Sequence, residues 1–249
     1  MSIKIVLAMI LTFSALTAGE IKIAVAANVS YAMQDLIKTF HTLYPDTQVQ
    51  VLTGSSGKLT AQIQNGAPFA LFMSADMKYP QRLYESGAAV TRPLVYAQGT
   101  LALLGSGKHD LSAGLSLLKK PSIKRIAVAN PKTAPYGKAA VEALQKSGLY
   151  ARVKSKCIYG ESVSQTVTYA VTAADIGLVA KSALFAPKMR RFKEGEHWKS
   201  VDPSLYKPIS QGIVILKRGE KNPEVAAFYA FIFSKKAADI FQKYGYILP

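Results

Sequence analysis

Between Leu52 and Pro68 the chain reads LTGSSGKLTAQIQNGAP, which sets Ser55 and Ser56 between Gly54 and Gly57. Hydroxyls in a small-residue turn, after an apolar run and before a helix-like one, can serve three chemistries. One is a nucleotide cradle, because Gly57-Lys58 resembles the end of G-x-x-x-x-G-K-[ST]. The spacing excludes it: the first glycine would fall at Leu52, and Leu59 stands where Ser or Thr would hold magnesium. Another is a G-x-S-x-G nucleophile elbow, which fails because Lys58 occupies the second glycine position after Ser56. The third needs no acid, base or metal. Small residues that open a helix leave backbone N–H groups and hydroxyls facing outward, ready for an anion. For this stretch alone, an ordinary capped turn is the alternative.

Other reactive side chains are sparse. His41, His109 and His197 show neither metal-ligand spacing nor a neighbouring carboxylate motif, so the reading is no enzyme, no metal and no cofactor. Cys157 is the only cysteine, which excludes an intramolecular disulfide; it reads as a small buried apolar residue, with a reactive thiol as the alternative. The chain carries a net charge of +16 at pH 7, which favours an anionic partner: nucleic acid, an anionic membrane or a small anion. No basic run interleaved with stacking aromatics supports nucleic acid. The nearest, KMRRFKEGEHWK from Lys188, is broken by glutamates and reads as a solvated loop. The aromatics of FYAFIFSKKAADIFQKYGY recur at helical spacing and read as core.

The elements that would position the Gly-Ser-Ser-Gly turn follow an alternating order. Residues 1–19 carry an early lysine, an apolar run from Ile5 to Ala18 and no acid, the pattern of a secretory signal cut near Gly19 or Glu20. No cysteine lies there to carry a lipid anchor. IKIAVAA is then a strand, and Val29, Ala32, Met33, Leu36, Phe40 and Leu43 follow at helical spacing up to Pro45. VQVL, the serine turn with a helix to Asn65-Gly66, FALFMSA, and a helix near Met77–Glu85 continue the alternation. It implies a mainly parallel sheet covered by helices. The pattern restarts at RIAVAN, with helices at Lys138–Lys146 and about Val163–Ala173 and a strand at IGLVA. YAQGTLALLG and PISQGIVIL look alike, and read as strands near Gly99 and Gly212 that cross between two units. The expectation is an α/β chain of two lobes, each a mostly parallel sheet: residues 20–98 with 208–249, and residues 99–207.

Strand–turn–helix junctions recur at Ala27-Asn28, Ser55-Ser56-Gly57, Pro135-Tyr136-Gly137 and Ser162-Val163. In open parallel sheets such turns lie at the carboxyl ends of strands, where ligands bind. Each lobe would supply two, and a cleft between them would hold an anion by neutral donors and helix dipoles. Lys58, the one cation among them, is expected to point its ammonium to water.

In order, AVAANVSYAMQDL, GSSGKLTAQIQNGAP, LFMSAD, VANPKTAPYGKAAVEAL and GESVSQTV resemble the successive motifs of the periplasmic molybdate-binding proteins, the soluble receptors of ABC-type importers. The resemblance spans essentially all of the chain after the signal. It implies a type II periplasmic-binding fold that closes over molybdate, and tungstate, in the periplasm, acts as a monomer and delivers its cargo to a membrane permease. It places oxyanion contacts on Asn28, Ser56, Tyr136 and Val163, the last two through backbone N–H groups, with Ser55 and Ala27 as further candidates. Three departures stand out: Asn28 where many members have serine, its amide being able to donate; Ala180 where some have tyrosine; and Ala70 where aspartate is usual. A receptor for sulfate or phosphate is the alternative among binding proteins, and a secreted hydrolase of anionic esters the alternative among enzymes.

Overall fold

The computed structural model describes residues 19–107 and 109–249, so the apolar run at Ile5–Ala18 lies outside the described residues. The first unit opens with β1 (Glu20–Ala26), α1 (Ser30–His41), β2 (Gln48–Gly54), α2 (Ser56–Gln64), β3 (Leu71–Met73), α3 (Lys78–Glu85) and β4 (Leu94–Gly99). Helix α1 buries Ala32, Met33, Leu36 and Phe40, the stripe that its spacing requires. It stops at His41, short of Leu43, which is largely exposed. β2 is longer than VQVL because it pairs in parallel with β1 from Glu20–Gln48 through Ala26–Gly54, and that register carries the strand up to the serine turn.

The second unit contains β5 (Leu101–Gly105), β6 (Ile126–Ala129), α4 (Pro135–Lys146), α5 (Tyr150–Val153), β7 (Cys157–Gly160), α6 (Val163–Thr172), β8 (Ile176–Ala180) and β9 (Trp198–Ser200). The chain then returns as β10 (Ile209–Ile215), and α7 (Pro223–Ile232) and α8 (Lys235–Lys243) close the fold. β9 comes from the basic loop around Lys188–Lys199. Most of that loop is exposed, but Met189 and Trp198 are buried, and Trp198 starts an edge strand along β5.

The sheets have the same layout. One runs β2-β1-β3-β10-β4 and the other β7-β6-β8-β5-β9. In each, the strands joined by helices pair in parallel, and the strands on the crossing segments add antiparallel pairings. Both are therefore mixed sheets, because a strand that enters or leaves a unit has no crossover helix to turn it parallel. The outward crossing falls between Gly99 and Leu101. The return precedes Ile209, so Gly212 is not at the crossing: it lies inside β10 at an irregularity opposite Val95. There a Cβ would come within 2.8 Å of the Met77 sulfur and 3.0 Å of the Asp76 carbonyl, which accounts for glycine.

Each sheet is covered on both faces. Ile23, Phe40, Phe228, Phe231 and Phe241 pack on one face of the first, and Leu59, Phe72, Leu83 and Val214 on the other. The C-terminal aromatics are thus mostly core. Around the second sheet, Leu103, Ile126, Leu144 and Leu178 form one cluster and Val167, Val179, Leu184 and Trp198 another. The former also takes in Ala26, Ala27 and Ala75 of the first unit, which joins the units by apolar contact. Cys157 is half-buried, and burial pushes its thiol pKa up, away from the reactive thiolate. No helix among the described residues is long and apolar enough to cross a membrane.

Candidate binding site

The carboxyl ends of β1, β2, β6 and β7 converge, and the turns that follow them enclose a small cavity of about 10 Å³. Ala27, Asn28, Ser55, Ser56, Tyr136 and Val163 all line it, so the residues singled out at separate junctions meet around one space. All are buried, at 5% exposure or less. Helices α2, α4 and α6 begin there, at Ser56, Pro135 and Val163. First-turn N–H groups, including those of Tyr136 and Val163, have no intrahelical acceptor, and the helix dipoles add partial positive charge. Pro135 opens α4 without loss, since its missing N–H falls where no bond would form.

The side chains sort by what their polar atoms already do. Ser56 Oγ accepts the Ala75 N–H at 3.0 Å, which leaves its hydroxyl proton free to donate. Ser55 Oγ is buried and has no partner among the described residues. Such an atom costs free energy unless something occupies the cavity.

Asn28 is more constrained than its sequence suggests. Its Nδ2 donates to Gln211 Oε1 at 2.7 Å and Tyr246 Oη at 2.9 Å, and lies 3.5 Å from Tyr136 Oη. Gln211 cannot flip to release it, because its own Nε2 donates to the Ile209 carbonyl at 2.7 Å. The Asn28 amide hydrogens are therefore spent behind the cavity, Oδ1 is left without a partner, and the donor that remains for a ligand is the main-chain N–H. The expectation that the amide donates into the site is not what the geometry provides.

Among the described residues, no ionised side chain lines the cavity and Tyr136 is the only titratable group that does. Burial raises its pKa well above the usual phenol value, so it stays neutral. An ion pair sits at the mouth of the cleft. There Lys58 of α2 pairs with Glu161, just ahead of α6, beside an opening of about 390 Å³. Lys58 is thus half-exposed but engaged, rather than free in water. Further bonds tie the units: Gly57 N–H to the Thr133 carbonyl at 2.9 Å, Tyr79 Oη to the Lys132 carbonyl at 3.3 Å, and Ser164 Oγ to the Ala27 carbonyl at 3.1 Å. The cleft is closed.

The sequence did not single out Gln211, Tyr246 or Ser182. Tyr246 Oη and Ser182 Oγ both donate to the Asn28 carbonyl, at 2.9 and 3.0 Å. A glutamine within the apolar run PISQGIVIL is the one signal that could have marked Gln211, since a fully buried polar side chain needs partners. Ala180 ends β8, fully buried, and does not line the cavity; Ala70 lies away from it too, its N–H donating to the Lys22 carbonyl at 2.8 Å.

Residues 21–247 match the family described as bacterial extracellular solute-binding protein. The molybdate-binding protein ModA of Azotobacter vinelandii is 38% identical over 233 residues, 92% of this chain and 90% of that protein. The ModA of Rhodobacter capsulatus is 37% identical over 237 residues, 92% and 89% of the two chains. Among solved structures, the Azotobacter vinelandii periplasmic molybdate-binding protein superposes with a TM-score of 0.85 at 30% identity, covering 92% of this chain and 99% of that one. With two α/β lobes closed over a donor-lined cavity, and relatives that are binding proteins over nearly their whole length, the chain belongs to the bacterial extracellular solute-binding proteins.

Proposed function

We propose that the protein is an exported, non-enzymatic receptor that closes two lobes over molybdate, accepts tungstate at the same site, and delivers it in the periplasm to the permease of an ABC importer. The lobes comprise residues 20–98 with 208–249, and 99–207; one chain binds one anion and works as a monomer. The observation that carries the reading is a buried cavity lined by hydroxyls and by helix starts from both lobes, with no ionised side chain among the described residues that line it.

A dianion there meets donors only where neutral groups aim at it. Ser55 and Ser56 donate from side chains, and Asn28, Tyr136 and Val163 from the main chain, while Ala27 shapes the wall. The charge stays uncompensated by any cation, and the α2, α4 and α6 dipoles offset it. The spacing of the donors across the two lobes, rather than charge, then selects among tetrahedral oxyanions. Exclusion of protonated phosphate does not rest on a total lack of acceptors, because Asn28 Oδ1 is unpartnered. It rests on fit: anions with longer bonds than sulfate or phosphate reach donors on both lobes at once.

Competitive calorimetry with molybdate, tungstate, sulfate and phosphate tests the reading. Molybdate and tungstate are expected within about tenfold of each other, with sulfate and phosphate weaker by at least roughly a hundredfold, about 2.7 kcal/mol. Sulfate binding as tightly as molybdate would make the protein a sulfate receptor. Turnover of an anionic ester would make it an enzyme.

A further inference from the structure

We propose that Gly57 and Thr133 form a backbone stop that sets the width of the closed cleft, and so determines which oxyanions fit. The inference rests on the oxyanion reading and adds the element that measures size.

Gly57 follows Ser56 at the start of α2, and Thr133 precedes Pro135 and Tyr136 at the start of α4. The Gly57 N–H donates to the Thr133 carbonyl across the cleft at 2.9 Å. A Cβ on residue 57 would lie 3.0 Å from both the Thr133 Cα and its carbonyl oxygen, and 2.7 Å from Tyr79 Oη. The two lobes thus meet backbone to backbone, one residue from a cavity-lining serine on one side and three from Tyr136 on the other. Side chains yield by changing rotamer, but two main chains in contact do not. The separation of the Ser56 and Tyr136 donors is therefore fixed by the stop and not by the anion. An anion too small leaves donors unmet on one lobe; one too large breaks the 2.9 Å bond.

Glycine is not needed here for its backbone freedom. Gly57 lies within α2 and is not among the glycines of positive φ, so alanine suits the helix and by propensity favours it. A methyl group at this position meets the Thr133 main chain across the cleft and, inside its own lobe, the Tyr79 hydroxyl at the end of a side chain that can turn aside.

The test compares wild type with Gly57→Ala by calorimetry and stopped-flow dissociation, using molybdate, tungstate and sulfate. The variant is expected to unfold without ligand at the same temperature as wild type or higher. It is expected to release molybdate and tungstate at least about tenfold faster, with their ratio unchanged. Sulfate should lose more than molybdate, because lobes held apart by a few tenths of an ångström disfavour the smaller anion most. The Tyr79→Phe background removes the contact inside the first lobe together with the bond to the Lys132 carbonyl, so the double variant is compared with Tyr79→Phe alone, which leaves the contact with Thr133 as the difference; the effect is expected to persist there. As an arm that needs no variant, hydrogen exchange in wild type should show the Gly57 amide protected when molybdate is bound. Molybdate affinity within threefold of wild type with an unchanged molybdate-to-sulfate ratio overturns the stop, as does a Gly57 amide that still exchanges rapidly with ligand bound. If wild type binds none of the oxyanions, the receptor reading fails and the stop falls with it.

Discussion

The two lobes share a strand layout but equip the cavity differently. The first lobe brings side chains, the Ser55 and Ser56 hydroxyls, beside Asn28, whose amide hydrogens Gln211 and Tyr246 hold away from the cavity. The second lobe brings helix starts. Val163 has no polar side chain, and the Tyr136 ring lies fully buried with its hydroxyl turned towards Asn28. One half of the site therefore depends on residue type, and the other on where a backbone begins its first turn. Substitutions that are harmless in one lobe should be costly in the other.

Ser56→Ala should have the largest effect, because under the proposed reading the hydroxyl serves the anion as well as the Ala75 N–H. Removing the donor to the anion is expected to cost roughly 1.5–3 kcal/mol, about a ten- to 150-fold loss of molybdate affinity by calorimetry. It also strips the buried Ala75 N–H of its acceptor, so thermal unfolding without ligand should show a loss of about 1–3 kcal/mol. A variant that binds normally would remove the side-chain half of the comparison.

Val163 sharpens the backbone half. Proline is tolerated at the first position of a helix, and Ser162 before it already has the extended backbone, φ −137° and ψ 167°, that a following proline requires. Val163→Pro should therefore delete one N–H while α6 forms as before. Affinity is expected to fall by a similar factor, roughly ten- to 150-fold, with little change in the unfolding temperature. Val163→Ala should stay within about threefold, roughly 0.7 kcal/mol. Equal losses for proline and alanine would mean that the valine side chain, not its N–H, matters.

Lys58→Ala probes the ion pair that spans the lobes. Both partners are about half exposed, with side chains at 52%, so the contribution is of the surface kind, about 0.2–1 kcal/mol. A loss of at most a few fold, which shrinks in high salt, is expected in binding assays. A loss that persisted in high salt would place the Lys58 cation on the anion itself and end the neutral-donor picture.

The smallest expected effect is on pH dependence. Asp76, next to the cavity-lining Ala75, has its pKa raised above the ordinary 3.8, chiefly by burial; the Tyr79 N–H, the Ser74 hydroxyl and the Lys78 and Lys138 charges pull the other way. With the folded value above the unfolded one, its contribution is most favourable below pH 3.8 and is lost as pH rises through the folded value. Asp76→Asn keeps an oxygen for the Tyr79 N–H and removes the buried charge. Its stability relative to wild type should improve as pH is raised from about 4 to 7 in denaturant titrations. A gap that narrows over that range would show that the Lys138 charge, from the other lobe, outweighs burial.

Much of the architecture was legible because it rests on local periodicity. The spacing of Ala32, Met33, Leu36 and Phe40 marks α1, and the alternation of apolar runs with helical ones marks the parallel core of each sheet. β7 and β9 were not legible. CIYG is half-exposed, and Trp198–Ser200 is an edge piece within a charged loop, so neither shows the pattern of a buried strand. At the site, the junction residues were readable one at a time, since strand–turn–helix is a local signal.

The sequence by itself determined where strands give way to helices through short turns, at Ala27-Asn28, Ser55-Ser56-Gly57, Pro135-Tyr136-Gly137 and Ser162-Val163. That follows from residue type and spacing, which need no partner to be read. Only the tertiary structure decided how those starts meet. Gln211 and Tyr246 stand 183 and 218 positions from Asn28, and their contact alone turns its amide away from ligand. The Gly57–Thr133 bond likewise joins units whose separation no periodicity encodes. Hydrogen bonds of that reach depend on how two independently packed sheets close on each other, a distance that appears only when the chain has folded.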